Sequence, residues 1–358
     1  MSNVSPNGSM TSKERVLNLL ARKPVDRVPC FSGMGNVTLA GIRDYGWEFS
    51  SLHTDPAKMA TAAASTPKLY GYDCAVVPFD MGVEAQGLGC EVNYYEGLAQ
   101  SPEEIYYPTI KTKYVKKAED ICRPQNGLES AGRFPVVLEA ARRLKAELGE
   151  TVPLGMWVLG PFTLAGQVVE LDDLLKMPMK DPDGLQKILD ALSDYLIDVL
   201  KMYRAAGADY LTVREMGATS DVLSPRMFRT LILPHLQKIF ANLEGPKILH
   251  ICGNTNKIIG AMNEAGADAL SVEHRNDVRA SRELLGPETV LLGNFNGYGL
   301  LVEATPETIQ ETVTASLDNG LNAIWPGCDI WPTAKPENVR ALIETTHAYP
   351  PEKAGGRR

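Results

Sequence analysis

Cysteine is scarce in this chain, six residues among 358, and that excludes a disulfide framework as the basis of the fold. Positive charge is in deficit. Lys and Arg number 36 against 44 Asp and Glu, a formal charge of −8. With a pI near 5.3, this argues against nonspecific binding to nucleic acid or to an anionic membrane. No apolar run approaches the roughly 18 residues needed to cross a bilayer. The segment Ser2 to Ser9 is polar and lacks the apolar core of a signal peptide. No Gly-x-Gly-x-x-Gly follows the first strand candidate, so a dinucleotide-binding fold has no support. What remains is a reduced, cytoplasmic protein whose thiols are free for metal binding or catalysis.

The chain alternates helical stretches with short apolar segments from about residue 12 to 347. Thr11 or Ser12 caps a first helix running through Leu20, with Glu14 in its first turn. Strand candidates are Val28–Phe31, Cys74–Phe79 and Leu154–Val158. The second half repeats itself. Ala206-Gly207-Ala208-Asp209 leads into Tyr210–Val213, and Ala265-Gly266-Ala267-Asp268 leads into Ala269–Val272. Asn319-Gly320-Leu321-Asn322 before Ala323–Trp325 is a looser copy. Each reads as a helix ending in Gly, a polar residue, then a parallel strand. With Lys247–Ile251 and Val290–Gly293 the count reaches eight strands. Eight βα units imply a TIM (β/α)8 barrel, with a doubly wound open sheet as the competitor. The expected organisation is a disordered arm at 1–11, one barrel domain over 12–348 with an insertion at about 81–150, and a flexible tail at 349–358. The insertion should hold a hairpin near Gly89–Tyr95 and a helix from about Gly132 to Leu148.

Chemistry concentrates in His250-Ile251-Cys252-Gly253. Two residues apart on a strand, His250 and Cys252 point to one face. They end the fifth strand, where barrel active sites lie. Cys328 follows the eighth strand and reaches the same mouth. One His and two Cys with an open position make a catalytic Zn²⁺ set. The competing reading is a packed His beside two inert thiols. Glu273, at the end of the sixth strand, is a fourth-ligand candidate, or else a base or salt-bridge partner. His274 alternates to the other face, and His235 sits on a helical stretch. Asp80 and Glu84 follow the second strand, and Arg214-Glu215 follow the fourth as an internal ion pair. Asn294 and Asn296 offer amides after the seventh.

These segments resemble the uroporphyrinogen decarboxylase superfamily over about residues 12–348. The resemblance rests on Lys23–Pro29, Leu159–Ala165, Leu223-Ser224-Pro225 with Phe228 and Pro234-His235, and Leu249–Asn254. It implies a TIM barrel. The superfamily's decarboxylases carry an Arg-rich segment after the first strand. Here Phe31–Thr38 has no Arg, so a polycarboxylate would lack its cationic clamp. The other branch, the corrinoid-dependent methyltransferases, carries His-x-Cys with a distant Cys, and His250, Cys252 and Cys328 match it. The resemblance thus implies zinc, a methylcobamide donor on a separate carrier protein, and a thiol such as coenzyme M as acceptor. No Asp-x-His-x-x-Gly carrier signature occurs in this chain. Tetrahydrofolate as the acceptor, a decarboxylase, and a non-catalytic corrinoid-binding barrel are the alternatives. A wide, apolar corrinoid ring calls for a broad docking face, for which Met81, Trp157, Asn294, Trp325 and Trp331 are the candidates.

Overall fold

The computed structural model describes residues 9–95, 98 and 104–356. Its strands are β1 (Ala75–Val77), β2 (Val92–Asn93), β3 (Thr109–Ile110), β4 (Leu154–Leu159), β5 (Tyr210–Arg214), β6 (Lys247–Ile251), β7 (Ala269–Val272), β8 (Val290–Gly293) and β9 (Ala323–Ile324). A seven-stranded parallel sheet runs β1-β4-β5-β6-β7-β8-β9 and curls on itself. The eighth stave is a single bridge, Cys30 paired with Ile324. Phe31 N–H donates to Ile324 O at 3.2 Å, and Asp73 N–H to Cys30 O at 2.9 Å. The expected strand Val28–Phe31 is cut to this bridge because Pro29 has no N–H to extend a ladder.

The repeated Gly-x-Asp turns have a physical reason. Gly207, Gly266 and Gly320 have φ of 108°, 90° and 109°, which suits Gly and ends each helix. The polar residue then staples its strand to the preceding one. Asp209 N–H donates to Leu154 O while Asp209 Oδ2 accepts from Leu154 N–H. Asp268 does the same with Lys247, and Asn322 with Leu291. Asp73 makes a fourth staple, its N–H to Cys30 O and its Oδ2 from Cys30 N–H at 3.0 Å. This closes the barrel at its foot. The matching sequence, Gly71-Tyr72-Asp73, was there to be read.

Thr11 and Glu14 form a full capping box on the first helix, Ser12–Leu20. Met10 N–H is held by Asp26 Oδ2 at 2.9 Å, so the end of the expected arm is anchored. Residues 1–8 lie outside the described residues. The tail differs from expectation too. Ala354 and Gly355 are buried, Gly355 N–H bonds Leu321 O, and Tyr349 OH bonds Asp318 Oδ1. Residues 349–356 thus pack against the foot, while 357–358 are not described. Within the expected insertion, Phe134–Leu148 is the return helix that follows β1, its face of Phe134, Val137, Leu138, Ala141 and Leu144 buried. The hairpin differs as well. Val92 pairs with Ile110 and Asn93 with Thr109, so its arms are joined by a long excursion and not by a tight turn within Gly89–Tyr95.

Candidate active site

Strand register sets the site. Arg214 of β5 lies opposite His250 of β6, and His250 opposite Ser271 of β7. His250 is fully buried, and its Nδ1 lies 2.9 Å from Ser271 Oγ, which fixes the ring. Its Nε2 lies 2.9 Å from Cys252 Sγ. Burial, and then the charge of Arg214, push the imidazole down to about 3, so it is neutral at pH 7. Cys252 Sγ lies 3.8 Å from Gly327 O, which brings Cys328 alongside. The neighbouring Cys328 thiol, with burial, holds the Cys252 thiol well above its usual value, while Cys252 lowers Cys328. All six cysteines are free.

The three residues therefore meet, although Cys328 comes from a segment whose Gly327, in contact with Cys252, lies 75 positions further along the chain. Glu273 stands beside them. Gly327, next to Cys328, has no side chain, and a Cβ there would lie 3.2 Å from Glu273 Cγ. Glu273 Oε2 accepts from Gly253 N–H, and its Oε1 pairs with His274 Nδ1 at 2.5 Å. His274, set aside on strand alternation, thus touches the rim through this carboxylate.

Among the described residues no group of three His, Cys, Asp or Glu is arranged to hold a metal ion as it stands. One obstacle is spacing. On tetrahedral zinc, N and S ligands at about 2.0 and 2.3 Å are roughly 3.6 Å apart, whereas His250 Nε2 and Cys252 Sγ are in direct contact at 2.9 Å. The donor set itself fits zinc: a neutral imidazole with one nitrogen anchored and the other turned to the Cys252 thiol, with a second thiol nearby. Separating these atoms by about 0.7 Å would admit the ion. His250, Cys252 and Cys328 would hold it, with Glu273 as a further oxygen donor once freed from Gly253.

Other expected residues fall differently. Trp157 and Trp325 are fully buried. Trp157 Nε1 donates to Pro78 O at 2.8 Å, and Trp325 packs edge-on against Phe31 with ring centroids 5.2 Å apart. Neither presents a surface to a ligand, and both leave the set of docking candidates because β4 and β9 turn them into the barrel. Met81 and Trp331 are 42% and 44% exposed, and Trp331 meets Tyr298 edge to face. Asn294 spends its amide on Glu273 O and Asn276 O, holding the β7 loop. His235 lies on the helix Leu233–Ala241, 3.0 Å from Gln186 Oε1.

The expected Arg214–Glu215 pair does not form. Glu215 caps the helix Pro161–Val168 through the N–H groups of Phe162 and Thr163. Burial pushes its carboxyl up to about 7. Arg214 instead grips Asp329. Asp80 is buried and held by Arg133, with both oxygens at 2.7 Å, and by His53 Nδ1 at 2.9 Å. Burial opposes its charge, but Arg133 outweighs burial and keeps the carboxyl well below its usual range. Glu84 is fully buried, neither oxygen has a partner, and burial pushes it up to about 8. His53, Arg133 and Asp329 were not singled out from sequence. Only Asp329 carried a signal, its place beside Cys328.

Residues 11–349 match the uroporphyrinogen decarboxylase family, and the chain belongs to that family. Within it, the chain falls on the methylcobamide-methyltransferase branch. A methylcobamide:CoM methyltransferase, MtaA, from Methanosarcina barkeri is 30% identical, over 95% of this chain and 98% of that one. A uroporphyrinogen decarboxylase from Idiomarina loihiensis is 27% identical, over 94% and 96%. The solved structure of a methyltransferase from Methanosarcina mazei, 30% identical, superposes with a TM-score of 0.87 over 94% of this chain and 98% of that one. No helix among the described residues is long and apolar enough to cross a membrane.

Proposed function

We propose that this protein moves a methyl group from a methylated corrinoid, delivered on a separate carrier protein, to a thiol, with Zn²⁺ held by His250, Cys252 and Cys328. The observation that carries this reading is the meeting of those residues at the barrel mouth. It is supported by the loop Phe31–Thr38, which is buried throughout. Gly33 lets that loop dip against Thr212 and Trp325, where any Cβ would clash. A segment so packed, and without Arg, offers no clamp for a polycarboxylate.

Held by His250, Cys252 and Cys328, zinc would supply a lowered pKa for an acceptor thiol and so a thiolate near neutral pH. The chain's own groups do the rest. Ser271 fixes the His250 ring, and burial keeps the ring neutral and able to ligate. Cys252 and Cys328 would bring negative charge to one wall once metal binding displaces their protons. The strand ends orient the acceptor sulfur toward the open mouth, where in-line attack forms the C–S bond. The Co–C bond breaks and cobalt leaves as Co(I) with the electron pair. The acceptor's proton leaves on binding. Of the expected docking residues, Met81 and Trp331 are exposed and available to a corrinoid ring.

The test is a metal analysis paired with demethylation of methylcobalamin against several thiols, including coenzyme M, and against tetrahydrofolate. One zinc per chain and turnover with a thiol are expected. Turnover with tetrahydrofolate by metal-free protein, or binding without turnover, would sink the reading.

A further inference from the structure

Cys328 stands four positions beyond Ile324, the end of β9 (Ala323–Ile324). That is the seam where one bridge stands in for a strand. Regular sheet bonding therefore does little to place this thiol. Asp329 does more. Its Oδ1 accepts the Gly35 N–H at 2.7 Å, and Gly35 O accepts the Ile330 N–H at 2.9 Å. Both carboxylate oxygens also face the Arg214 guanidinium, at 3.3 and 3.2 Å. Arg214 is 1% exposed. Its guanidinium lies over the Trp157 ring at 4.4 Å, and its Nη2 reaches Met216 Sδ at 3.6 Å and Cys328 Sγ at 3.8 Å. A cation on the rigid β5 is thus locked to the loop that carries the thiol.

We infer that Arg214 and Asp329 are positioning residues. They form a clamp that replaces the missing sheet contacts at the seam and holds Cys328 against Cys252 as a ligand. This rests on the zinc reading above. The fork geometry matters, because two parallel bonds fix orientation where a single charge would not. Asp329 also neutralises Arg214, whose bare charge would repel a dication at the thiols.

The test uses full-length protein in two arms. In the first, zinc release to a chromophoric chelator is timed. Asp329→Ala should release zinc roughly 10–100-fold faster, the usual cost of losing a partner outside the ligands. Asp329→Asn, which keeps an acceptor for Gly35, should fall between. The double variant Arg214→Met/Asp329→Ala restores charge balance without the clamp and should remain fast. In the second arm, metal-free proteins are titrated with phenylarsine oxide, which bridges two adjacent thiols. Asp329→Ala should capture it more weakly than wild type. Melting temperatures identify any variant that fails to fold, in which case Asp329→Asn carries both arms. Wild-type release from Asp329→Ala, or recovery of slow release in the double variant, overturns the inference. Wild-type protein without zinc would instead overturn the proposed function, and the arsenical arm would still decide the clamp.

Discussion

Two buried acids, Asp73 at the foot of the barrel and Glu84 at its mouth, are handled in opposite ways. At the foot, Asp73 is fully buried and accepts from Ser12, Arg15, Arg27, His347 and the Cys30 N–H, all at 2.7–3.1 Å. Arg282 likewise spends its guanidinium on three carbonyls and Asn322. At the mouth, both Glu84 oxygens, Arg214 Nε and His53 Nε2 are buried with no partner. Satisfied networks specify a fold, and unsatisfied ones mark where stability has been given up for something else. In a barrel whose chemistry sits at the strands' C-terminal ends, that division assigns stability to the foot and function to the mouth.

The largest expected effect comes from Cys328→Ser. Methyl transfer and bound zinc should both fall, by more than the roughly 10–100-fold that losing an outer partner costs. The melting temperature should hardly move, because a barrel of this size does not need a metal for its core. Assays of turnover, metal content and melting on the same sample check this, and a large melting shift would break the division. At the other end, Asp73→Asn should cost about 3–5 kcal/mol, since it removes the buried charge that Arg15, Arg27 and His347 share and leaves Arg15 to Asp26. Denaturant unfolding measures it, and full activity in the surviving folded fraction is expected.

Trp157→Ala and Trp331→Ala split the mouth itself. Trp157 is core, so its truncation should cost about 3–5 kcal/mol. Trp331 is 44% exposed, and its truncation should raise KM for methylcobalamin with little change in unfolding. Comparing kinetics with melting for the pair separates the two roles.

The effect that needs no large change at any single condition is in pH, because it is spread over several units. Asp73 is held below its usual value, because its His347 and arginine partners outweigh burial. The stability it contributes is present above the unfolded carboxylate value and lost as pH falls through the lower folded one. Glu84 is pushed up to about 8 by burial. Its contribution is full below the unfolded value of about 4.3 and drains away as pH rises to about 8. Wild type should therefore lose stability relative to Glu84→Gln between about pH 5 and 8 and run parallel above that. Unfolding curves at stepped pH read both windows. Parallel curves throughout would mean that Glu84 is not buried as an acid.

Much of this was legible in the chain. The Gly-x-Asp turns announced parallel strands, because a left-handed Gly and a staple acceptor are local needs. His250 and Cys252 could be paired from strand alternation alone. Other features had no local signal. Asp80, His53 and Arg133 come together from positions 27 and 53 residues apart. The inward turn of Trp157 and Trp325 depends on barrel curvature, which residue type does not encode. Val28–Phe31 looked like a strand by its apolar side chains, but the backbone of Pro29 decided otherwise.

Gly35 and Asp329 are 294 positions apart, yet their bond holds the loop that completes the ligand set. Bringing such distant segments together is among the slower and entropically dearer events in folding. A nascent or partly opened chain can thus present His250 and Cys252 early, on one strand, while the third thiol arrives only when the first and last segments of the barrel meet. On the zinc reading proposed above, metal capture would double as an inspection of the finished ring. A molecule with an open seam would have two ligands and stay silent, and zinc content in a purified sample would measure how many molecules have closed.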